Sequence, residues 1–425
     1  MLVQFSVANY LSFKERQTLS MVASRDKTLE GNTFLVEEGG GLSLLKSAAL
    51  YGANASGKSN VVKALKFMRK FVLESAGGQR GDPIPVVPFK LARETVDQPS
   101  EFEVVFMVDE DRYVYGFIAD HERVHEEWLT LARGSGKPGR VFTRDDSGAV
   151  RRGVHWNGEL KRLVDLTRPN ALFLSVAVQF NSAAVRTAFD WFAKRLRTIS
   201  DRPEAESEIR YSSVMLSDAT LAAAVTDLAR AADLGIDDFS VEQVPLVQTQ
   251  PFASMTESTR NALLASVPAA EPDKVMASVV RAVHTRSDGE RVAFQLDEEE
   301  SAGTVRLFAL AGPWLHVVHL GTVLLVDELD SKLHPLLTRL LVKMVHSAQS
   351  NPQLVFTTHD CGLLDSKLLR RDQVWFTEKD RHGATQLYSL WDFKVRSDQN
   401  LQNGYLTGRF GAIPFIGEFG FGQEE

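Results

Sequence analysis

The chain has 425 residues, a formal net charge of −7 and a single cysteine, Cys361. This length predicts two or three lobes, and one cysteine excludes both a disulfide framework and a thiolate metal cluster. No apolar stretch approaches the length of a membrane span, and the N-terminal segment Met1–Phe5 lacks the features of a secretory signal. We therefore expect a cytoplasmic protein without membrane contact.

The first predicted elements lead into a glycine-rich loop. Residues 2–7 alternate apolar and polar side chains, which is typical of an edge or half-buried strand. Residues 48–51 read as the end of a buried strand, and the apolar positions of residues 61–68 recur at helical spacing. Between that strand and that helix lies the run Gly52-Ala53-Asn54-Ala55-Ser56-Gly57-Lys58-Ser59, which fits G-x-x-x-x-G-K-[ST] without mismatch.

Each position of this phosphate loop has a mechanical role in holding ATP. The glycines Gly52 and Gly57 let the backbone bend so that successive amides of residues 52–59 form a cradle for anions. Lys58 would place its positive charge at the β- and γ-phosphates, and the Ser59 hydroxyl would bind Mg²⁺. The alternative is a glycine-rich turn that binds no nucleotide, which the strand before the loop and the helix after it disfavour.

Two hairpins and a helical region follow along the chain. Residues 102–117 alternate strongly around a turn at 109–111, and a second hairpin is predicted to turn at 146–148. Helical periodicity then predicts helices over 186–197 and 218–234, and mostly helix over 258–284.

These elements predict an interrupted domain. Residues 1–160 and 291–425 would form the two halves of one α/β domain, and residues 161–290 would form a helical lobe inserted between them.

A buried strand at residues 323–326 ends in two carboxylates, Asp327 and Glu328. A strand that is apolar throughout is typical of a parallel sheet covered on both faces, and ligands bind at the carboxyl ends of such strands. We expect Asp327 to hold Mg²⁺, directly or through water, and Glu328 to orient and deprotonate the attacking water.

Two further segments add candidate residues. Another buried strand, Gln353–Thr358, ends at His359, which we interpret as a sensor of the γ-phosphate, although a lone histidine is more often structural. Ser301 and Gly303 lie at the start of an apolar helix, where backbone amides form a second anion site. An ordinary helix cap has the same pattern.

The order of these motifs resembles ABC-type ATPase heads, and more narrowly the SMC-like and OLD-like branch in which an insertion splits the head. The resemblance implies an α/β fold, in which a mixed sheet with flanking helices and an antiparallel β subdomain is split by an inserted helical lobe. It also implies a head-to-head dimer that sandwiches two ATPs. Ser301 and Gly303 of one copy would then cap the γ-phosphate bound by Lys58 of the other.

Other segments resemble the stand-alone RloA/AbiLi-like AAA-ATPase family. They are Phe5–Phe13, Pro88–Leu91, the hairpin with Tyr113, Tyr115 and Glu127-Trp128-Leu129, and the tail Gly404–Pro414. This resemblance implies a role in bacterial anti-phage and abortive-infection systems. There the ATPase usually acts with a separately encoded effector, such as a TOPRIM-type or other nuclease.

Two alternatives stay open. One is an SMC-like ATPase that repairs or tethers DNA, and the other is a nucleotide-gated scaffold that restrains a toxin. The acidic net charge does not indicate nucleic-acid binding, although a local groove can be basic on an acidic protein. The basic candidates, which we interpret as solvated helix faces, are Lys63, Lys66, Arg69, Lys70, Lys194, Arg195 and Arg197.

Overall fold

The computed structural model describes residues 1–36, 41–199, 205–260, 275–393 and 400–414. The chain divides into two compact units. The first comprises Met1–Asp201, Val317–Ser331 and Pro335–Glu425, and the second comprises Arg202–His316 and Lys332–His334. The expected insert and the second unit overlap over residues 202–290, whereas residues 161–199 group with the first unit.

The strands of the described chain are β1 Leu2–Ala8, β2 Gln17–Ser20, β3 Thr33–Val36, β4 Leu42–Leu45, β5 Ser47–Tyr51, β6 Ser100–Val108, β7 Asp111–Ala119, β8 Val124–Ala132, β9 Gly139–Arg144, β10 Val150–Arg152, β11 Leu196–Ile199, β12 Asp238–Pro245, β13 Met276–Thr285, β14 Arg291–Gln295, β15 Val323–Val326, β16 Gln353–Thr357, β17 Val374–Lys379 and β18 Thr385–Ser389. The α-helices are α1 Lys58–Glu74, α2 Lys161–Leu166, α3 Phe173–Gln179, α4 Ala183–Asp190, α5 Ala205–Met215, α6 Ala219–Ala231, α7 Gln250–Ala253, α8 Ala302–Leu320, α9 Pro335–Ser347 and α10 Leu401–Leu406.

The first unit contains two large sheets. One is antiparallel, with strand order β10-β9-β8-β7-β6-β1-β2. The other has the order β11-β15-β16-β5-β17-β18 and is parallel up to β17, with β18 antiparallel at one edge. A mixed α/β fold with an antiparallel β portion is thus confirmed. Both predicted hairpins are present as β6–β7 and β9–β10, and β1 is an inner strand rather than an edge.

Helix α1 packs its apolar stripe into the main core of the first unit. The predicted positions Val61, Ala64, Leu65 and Met68 are all buried, since their spacing puts them on one face. Phe67 of α1 adds aromatic contacts with β6. Because this helix begins at Lys58, its burial against the sheets fixes where the phosphate loop ends.

The basic residues of α1 do not form one solvated face. Lys63 and Lys70 are exposed, as expected. Arg69 is not, since its Nε donates to the carbonyl oxygens of Phe192 at 3.0 Å and Leu196 at 2.7 Å. Arg69 therefore ties α1 to the segment that enters β11, and its interpretation as a solvated residue is wrong.

The second unit combines helices with a three-stranded antiparallel sheet, in the order β12-β13-β14. The helix predicted over 258–284 is therefore wrong for residues 276–284, which belong to β13. The physical reason is that β13 pairs along the whole length of β12, and its β-branched valines suit a half-buried sheet. Residues 261–274 of that prediction lie outside the described residues.

The helix predicted over 186–197 is correct only in part. Helix α4 ends at Asp190, a π-helical turn covers Trp191–Arg195, and the chain then enters β11 at Leu196. Parallel pairing of β11 with β15 supplies hydrogen bonds that a longer helix would have made internally. Within the described ranges, no helix is long and apolar enough to cross a membrane.

Candidate nucleotide-binding site

Three neighbouring parallel strands end at one edge of the six-stranded sheet. Strand β16 lies between β5 and β15, and the register pairs Thr357 with Leu50 and Phe356 with Val326. Because neighbouring strands are about 4.8 Å apart, the segments that follow them are close in space. The fold therefore brings the phosphate loop, the Asp327-Glu328 pair and His359 to the same edge.

The backbone of the phosphate loop uses conformations that need glycine. Gly57 has φ +112°, immediately before α1. A Cβ at Gly57 would collide with the Thr385 side chain, and one at Gly52 would collide with the carbonyl of Thr377. Ala55 has φ +61°, and it and Asn54 are exposed at the tip of the loop. The two glycines thus allow a close approach of backbone to backbone.

A set of buried hydroxyls supports the loop from behind. Ser56 Oγ lies 2.6 Å from Thr377 Oγ1, and Thr385 Oγ1 donates 2.7 Å to Ser12 Oγ or 2.8 Å to the Ser56 carbonyl. Asn60 of α1 also donates to Ser12, at 2.7 Å. Ser56 belongs to the predicted loop, but sequence reasoning missed the supporting roles of Ser12, Asn60, Thr377 and Thr385, because an isolated polar residue in a strand, turn or helix carries no distinctive signal.

Lys58 is buried, with 5% of its surface exposed. Its Nζ donates to the carbonyl oxygens of Gly52 at 2.8 Å and Ala53 at 3.1 Å. Burial lowers the pKa of Lys58 to about 8, while the carboxylates of Glu328, Asp327 and Asp330 act in the opposite direction. Lys58 therefore shares an electrostatic environment with the acidic residues at the end of β15, and an added anion would favour its charged form.

The Asp327-Glu328 pair has a defined geometry. Asp327 is buried, and its Oδ1 accepts a hydrogen bond from Thr357 Oγ1 at 2.7 Å. Glu328 is half-buried with φ +50°, and its backbone N–H donates to the same hydroxyl at 2.7 Å. Thr357 was not among the predicted site residues, because a buried threonine near a strand end carries no distinctive sequence signal.

His359 follows Thr357 and Thr358 at the end of β16. Its backbone N–H donates to the Asp330 carboxylate, at 3.2 Å to Oδ2. Its side chain is partly exposed, and partial burial together with the charge of Lys58 lowers its pKa, against the effect of Asp330 and Asp327. The imidazole is thus biased towards its neutral form and can donate one hydrogen bond.

Ser301 and Gly303 belong to the second unit, whereas the phosphate loop and the carboxylate pair belong to the first. Ser301 is exposed, and its hydroxyl accepts from the Thr304 backbone N–H at 3.1 Å as an N-cap of α8. A Cβ at Gly303 would lie 3.0 Å from the carbonyl oxygen of Lys332. Within its own unit, Ser301 therefore caps α8 and is exposed to solvent.

The residues of the first unit fit a nucleoside triphosphate with Mg²⁺. At Gly52 and Gly57 the space that a Cβ would need is taken by Thr377 and Thr385, and the buried Lys58 ammonium donates to two carbonyl oxygens of the loop, those of Gly52 and Ala53. Ser59 and Asp327 supply oxygen ligands of the kind that Mg²⁺ prefers. The described residues include no group of three or more His, Cys, Asp or Glu that would hold a metal alone. Mg²⁺ sites of this class complete their coordination with phosphate oxygens and water.

The chain is similar to three solved SMC head structures. An SMC head bound to the C-winged helix domain of ScpA is 12% identical, with TM-score 0.46 and coverage of 91% of this chain and 97% of that one. The SMC head domain of Thermotoga maritima is 12% identical, with TM-score 0.39 and coverage of 93% and 99%. A head domain with an extended coiled coil, bound to the C-terminal domain of ScpA derived from Pyrococcus furiosus, is 10% identical, with TM-score 0.37 and coverage of 96% and 98%.

No curated protein sequence matches the chain significantly. A family profile does match, over residues 47–365, and its description is "AAA domain, putative AbiEii toxin, Type IV TA system". The matched range begins with β5, includes the phosphate loop and the Asp327-Glu328 pair, and ends beyond His359. It therefore contains every part of the site formed by the loop, the carboxylate pair and His359, which we call the strand-edge site. Since this range is about three quarters of the chain, the protein belongs to this family of AAA domains.

Proposed function

We propose that the protein is a Mg²⁺-dependent ATPase whose catalytic centre is the strand-edge site of the first unit. The observation that carries the proposal is the order β15-β16-β5, which places the Asp-Glu pair, His359 and the phosphate loop side by side. The lowered pKa of Lys58, opposed by three nearby carboxylates, supports the same centre.

Each residue has a defined role in this proposal. The amides of Gly52, Ala53, Asn54, Ala55, Ser56 and Gly57, together with Lys58, bind the triphosphate. Ser59 and Asp327 hold Mg²⁺, which when bound neutralises charge on the phosphate oxygens. Glu328 orients the attacking water and accepts its proton, and His359 donates a hydrogen bond to the γ-phosphate.

Two substitutions test this catalytic centre. Lys58→Ala should lose nucleotide affinity, because the charge that faces the phosphates is removed. Glu328→Gln should keep ATP binding and lose turnover, because only the acceptance of the proton is removed. Nucleotide binding and phosphate release are measured on the same preparations. Hydrolysis by Glu328→Gln at the parental rate would show that the base has been assigned to the wrong residue.

The assembly that we infer is a head-to-head homodimer in which Ser301 and Gly303 act on the ATP of the partner copy. The N-terminus of α8 is exposed at Ser301, and the dipole and amides of a helix N-terminus favour an anion such as a γ-phosphate. Lys58→Ala and Ser301→Arg should each be inactive alone, and their mixture should recover part of the activity through one intact composite site. Full activity of dilute Ser301→Arg would instead place the complete site within one chain.

The biological role that we infer is cytoplasmic control of a separate effector, such as a nuclease, in a bacterial anti-phage system of the RloA/AbiLi type. The family description names an AbiEii toxin and a Type IV TA system, and we take this as support for a role in such a system. The test is phage plating on cells that carry the gene with its neighbours, in parental and Glu328→Gln forms. Equal plating efficiency with and without the locus would contradict a defence role.

The toxin named in the same family description supports a second candidate, in which the protein is a nucleotide-gated scaffold that restrains a toxin. Glu328→Gln separates the two candidates. A scaffold should keep its partner bound in the ATP state without turnover, whereas a motor should stall. Pull-down of the neighbouring gene product with this variant, with and without ATP, measures the difference.

A further inference from the structure

One buried hydroxyl joins the two carboxylate residues of the proposed centre. Thr357 is the last residue of β16, the middle of the three strands that converge on the site, and none of its surface is exposed. Its backbone carbonyl accepts from the Leu329 N–H at 3.0 Å. Its hydroxyl contacts both residues that precede Leu329, so Thr357 holds three consecutive residues after β15.

The direction of these hydrogen bonds follows from counting hydrogens. A hydroxyl has one hydrogen to donate and can also accept. The Glu328 N–H can only donate, and it reaches Thr357 Oγ1 at 2.7 Å. The single hydrogen of Thr357 is therefore directed to Asp327 Oδ1, also at 2.7 Å. Both bonds are short, and the bond to the carboxylate is assisted by its charge.

The two hydrogen bonds of the Thr357 hydroxyl constrain the orientations of Asp327 and Glu328, which the proposed ATP hydrolysis would need. Glu328 has φ +50°, a left-handed conformation that is unfavourable for a residue with a Cβ. The bond from its N–H to Thr357 offsets part of that cost and fixes the direction in which the Glu328 side chain leaves the backbone. On Asp327, one oxygen is bound to Thr357, which fixes the plane of the carboxylate and the direction of its second oxygen.

We propose that Thr357 is a positioning residue that aligns the Asp327 carboxylate towards Mg²⁺ and the Glu328 carboxylate towards the attacking water. The inference rests on the proposed ATPase function and deepens it. Thr357 itself contacts neither substrate nor metal and acts through the two carboxylates. Loss of a group that orients a metal ligand typically lowers metal affinity or activity 10- to 100-fold.

The chain offers a matched set of variants. Thr357→Val keeps the shape and removes the hydroxyl, and Thr357→Ser keeps the hydroxyl and removes the methyl group. Thr338→Val is the control. Thr338 lies in α9 of the same unit and is equally buried, and its hydroxyl has no hydrogen-bond partner among the described residues. The same substitution there removes a hydroxyl that supports nothing.

Two readouts are needed, and only one depends on turnover. The first is the Mg²⁺ concentration that gives half-maximal binding of a fluorescent ATP analogue that is not hydrolysed. It should rise about tenfold in Thr357→Val and stay within about twofold in Thr357→Ser and Thr338→Val. The second is steady-state hydrolysis, in which kcat should fall at least tenfold in Thr357→Val while KM at saturating Mg²⁺ changes less than about threefold.

Parental Mg²⁺ dependence in a folded Thr357→Val would overturn the inference. So would an equal loss in Thr357→Ser, which would assign the effect to packing of the methyl group. If Thr357→Val does not fold, Thr357→Cys replaces it, because a thiol fills the site but is a weak donor and acceptor. A parental protein without ATPase activity would refute the proposed function alone, since the Mg²⁺ titration would still decide the role of Thr357.

Discussion

The lowered pKa of Lys58 makes nucleotide binding dependent on pH between about 7 and 9. Burial disfavours the charged form of this lysine and lowers its pKa to about 8 in the nucleotide-free protein. Bound phosphates favour the charged form and raise the pKa again. Nucleotide binding should therefore take up a proton. The affinity for ATP should weaken as the pH rises through the pKa of Lys58 in the nucleotide-free protein.

The magnitude follows from the protonated fraction of Lys58. With a pKa of about 8, this fraction falls from about 0.9 at pH 7 to about 0.1 at pH 9. If only the charged form binds phosphates, Kd for ATP rises about tenfold over this range, which is about 1.4 kcal/mol of binding free energy. At pH 8, each binding event should take up about half a proton.

Isothermal titration calorimetry in two buffers of different ionisation enthalpy measures both Kd and proton uptake. Lys58→Arg is the control, because a guanidinium stays charged throughout this range. Its residual binding should lack the pH dependence between pH 7 and 9. A parental Kd that is constant from pH 7 to 9, with no proton uptake at pH 8, would refute the reasoning about the burial of Lys58.

Three other substitutions test the site and its support. His359→Ala should lower single-turnover hydrolysis about a hundredfold while Kd for ATP changes less than about threefold, and unchanged hydrolysis would make His359 a structural residue. Gly57→Ala should lower the free energy of unfolding in urea by about 2–4 kcal/mol, because φ at this position is +112° and the new Cβ would collide with Thr385. A loss below about 1 kcal/mol would contradict this geometry. Arg69→Met should cost about 2 kcal/mol in the same assay through its lost bonds to two carbonyls, against less than about 0.5 kcal/mol for the exposed Lys63→Met.

The sequence alone determined the elements whose signals are local. The phosphate loop is a contiguous run with a strand before it and a helix after it, so Gly52, Gly57 and Lys58 could be placed without a structure. The apolar strands that end at Asp327 and near His359 were recognisable because both faces of an inner parallel strand are covered. The first hairpin could be predicted from alternation around the turn at 109–111, and the second from its turn residues 146–148.

Sequence periodicity was a weaker guide where long-range pairing decides the structure. Residues 276–284 contain enough apolar positions to suggest a helix, but β13 forms because β12 offers a full row of backbone partners. Leu196 and Arg197 continue a helical pattern, yet they enter β11 beside β15. A backbone group satisfies its hydrogen bonds with whichever partner the fold provides, and short windows of sequence do not contain that partner.

Only the tertiary structure decided which residues support the site. Thr357 lies 30 residues along the chain from Asp327, whose Oδ1 it contacts at 2.7 Å. Thr385 lies 329 residues from Ser56 of the phosphate loop, whose carbonyl oxygen it contacts at 2.8 Å. A hydroxyl acquires such a role from the atoms that parallel strand order and register place beside it. The chemistry of the phosphate loop is therefore encoded locally, whereas the alignment of the Asp327 and Glu328 carboxylates with the loop depends on the strand order β15-β16-β5.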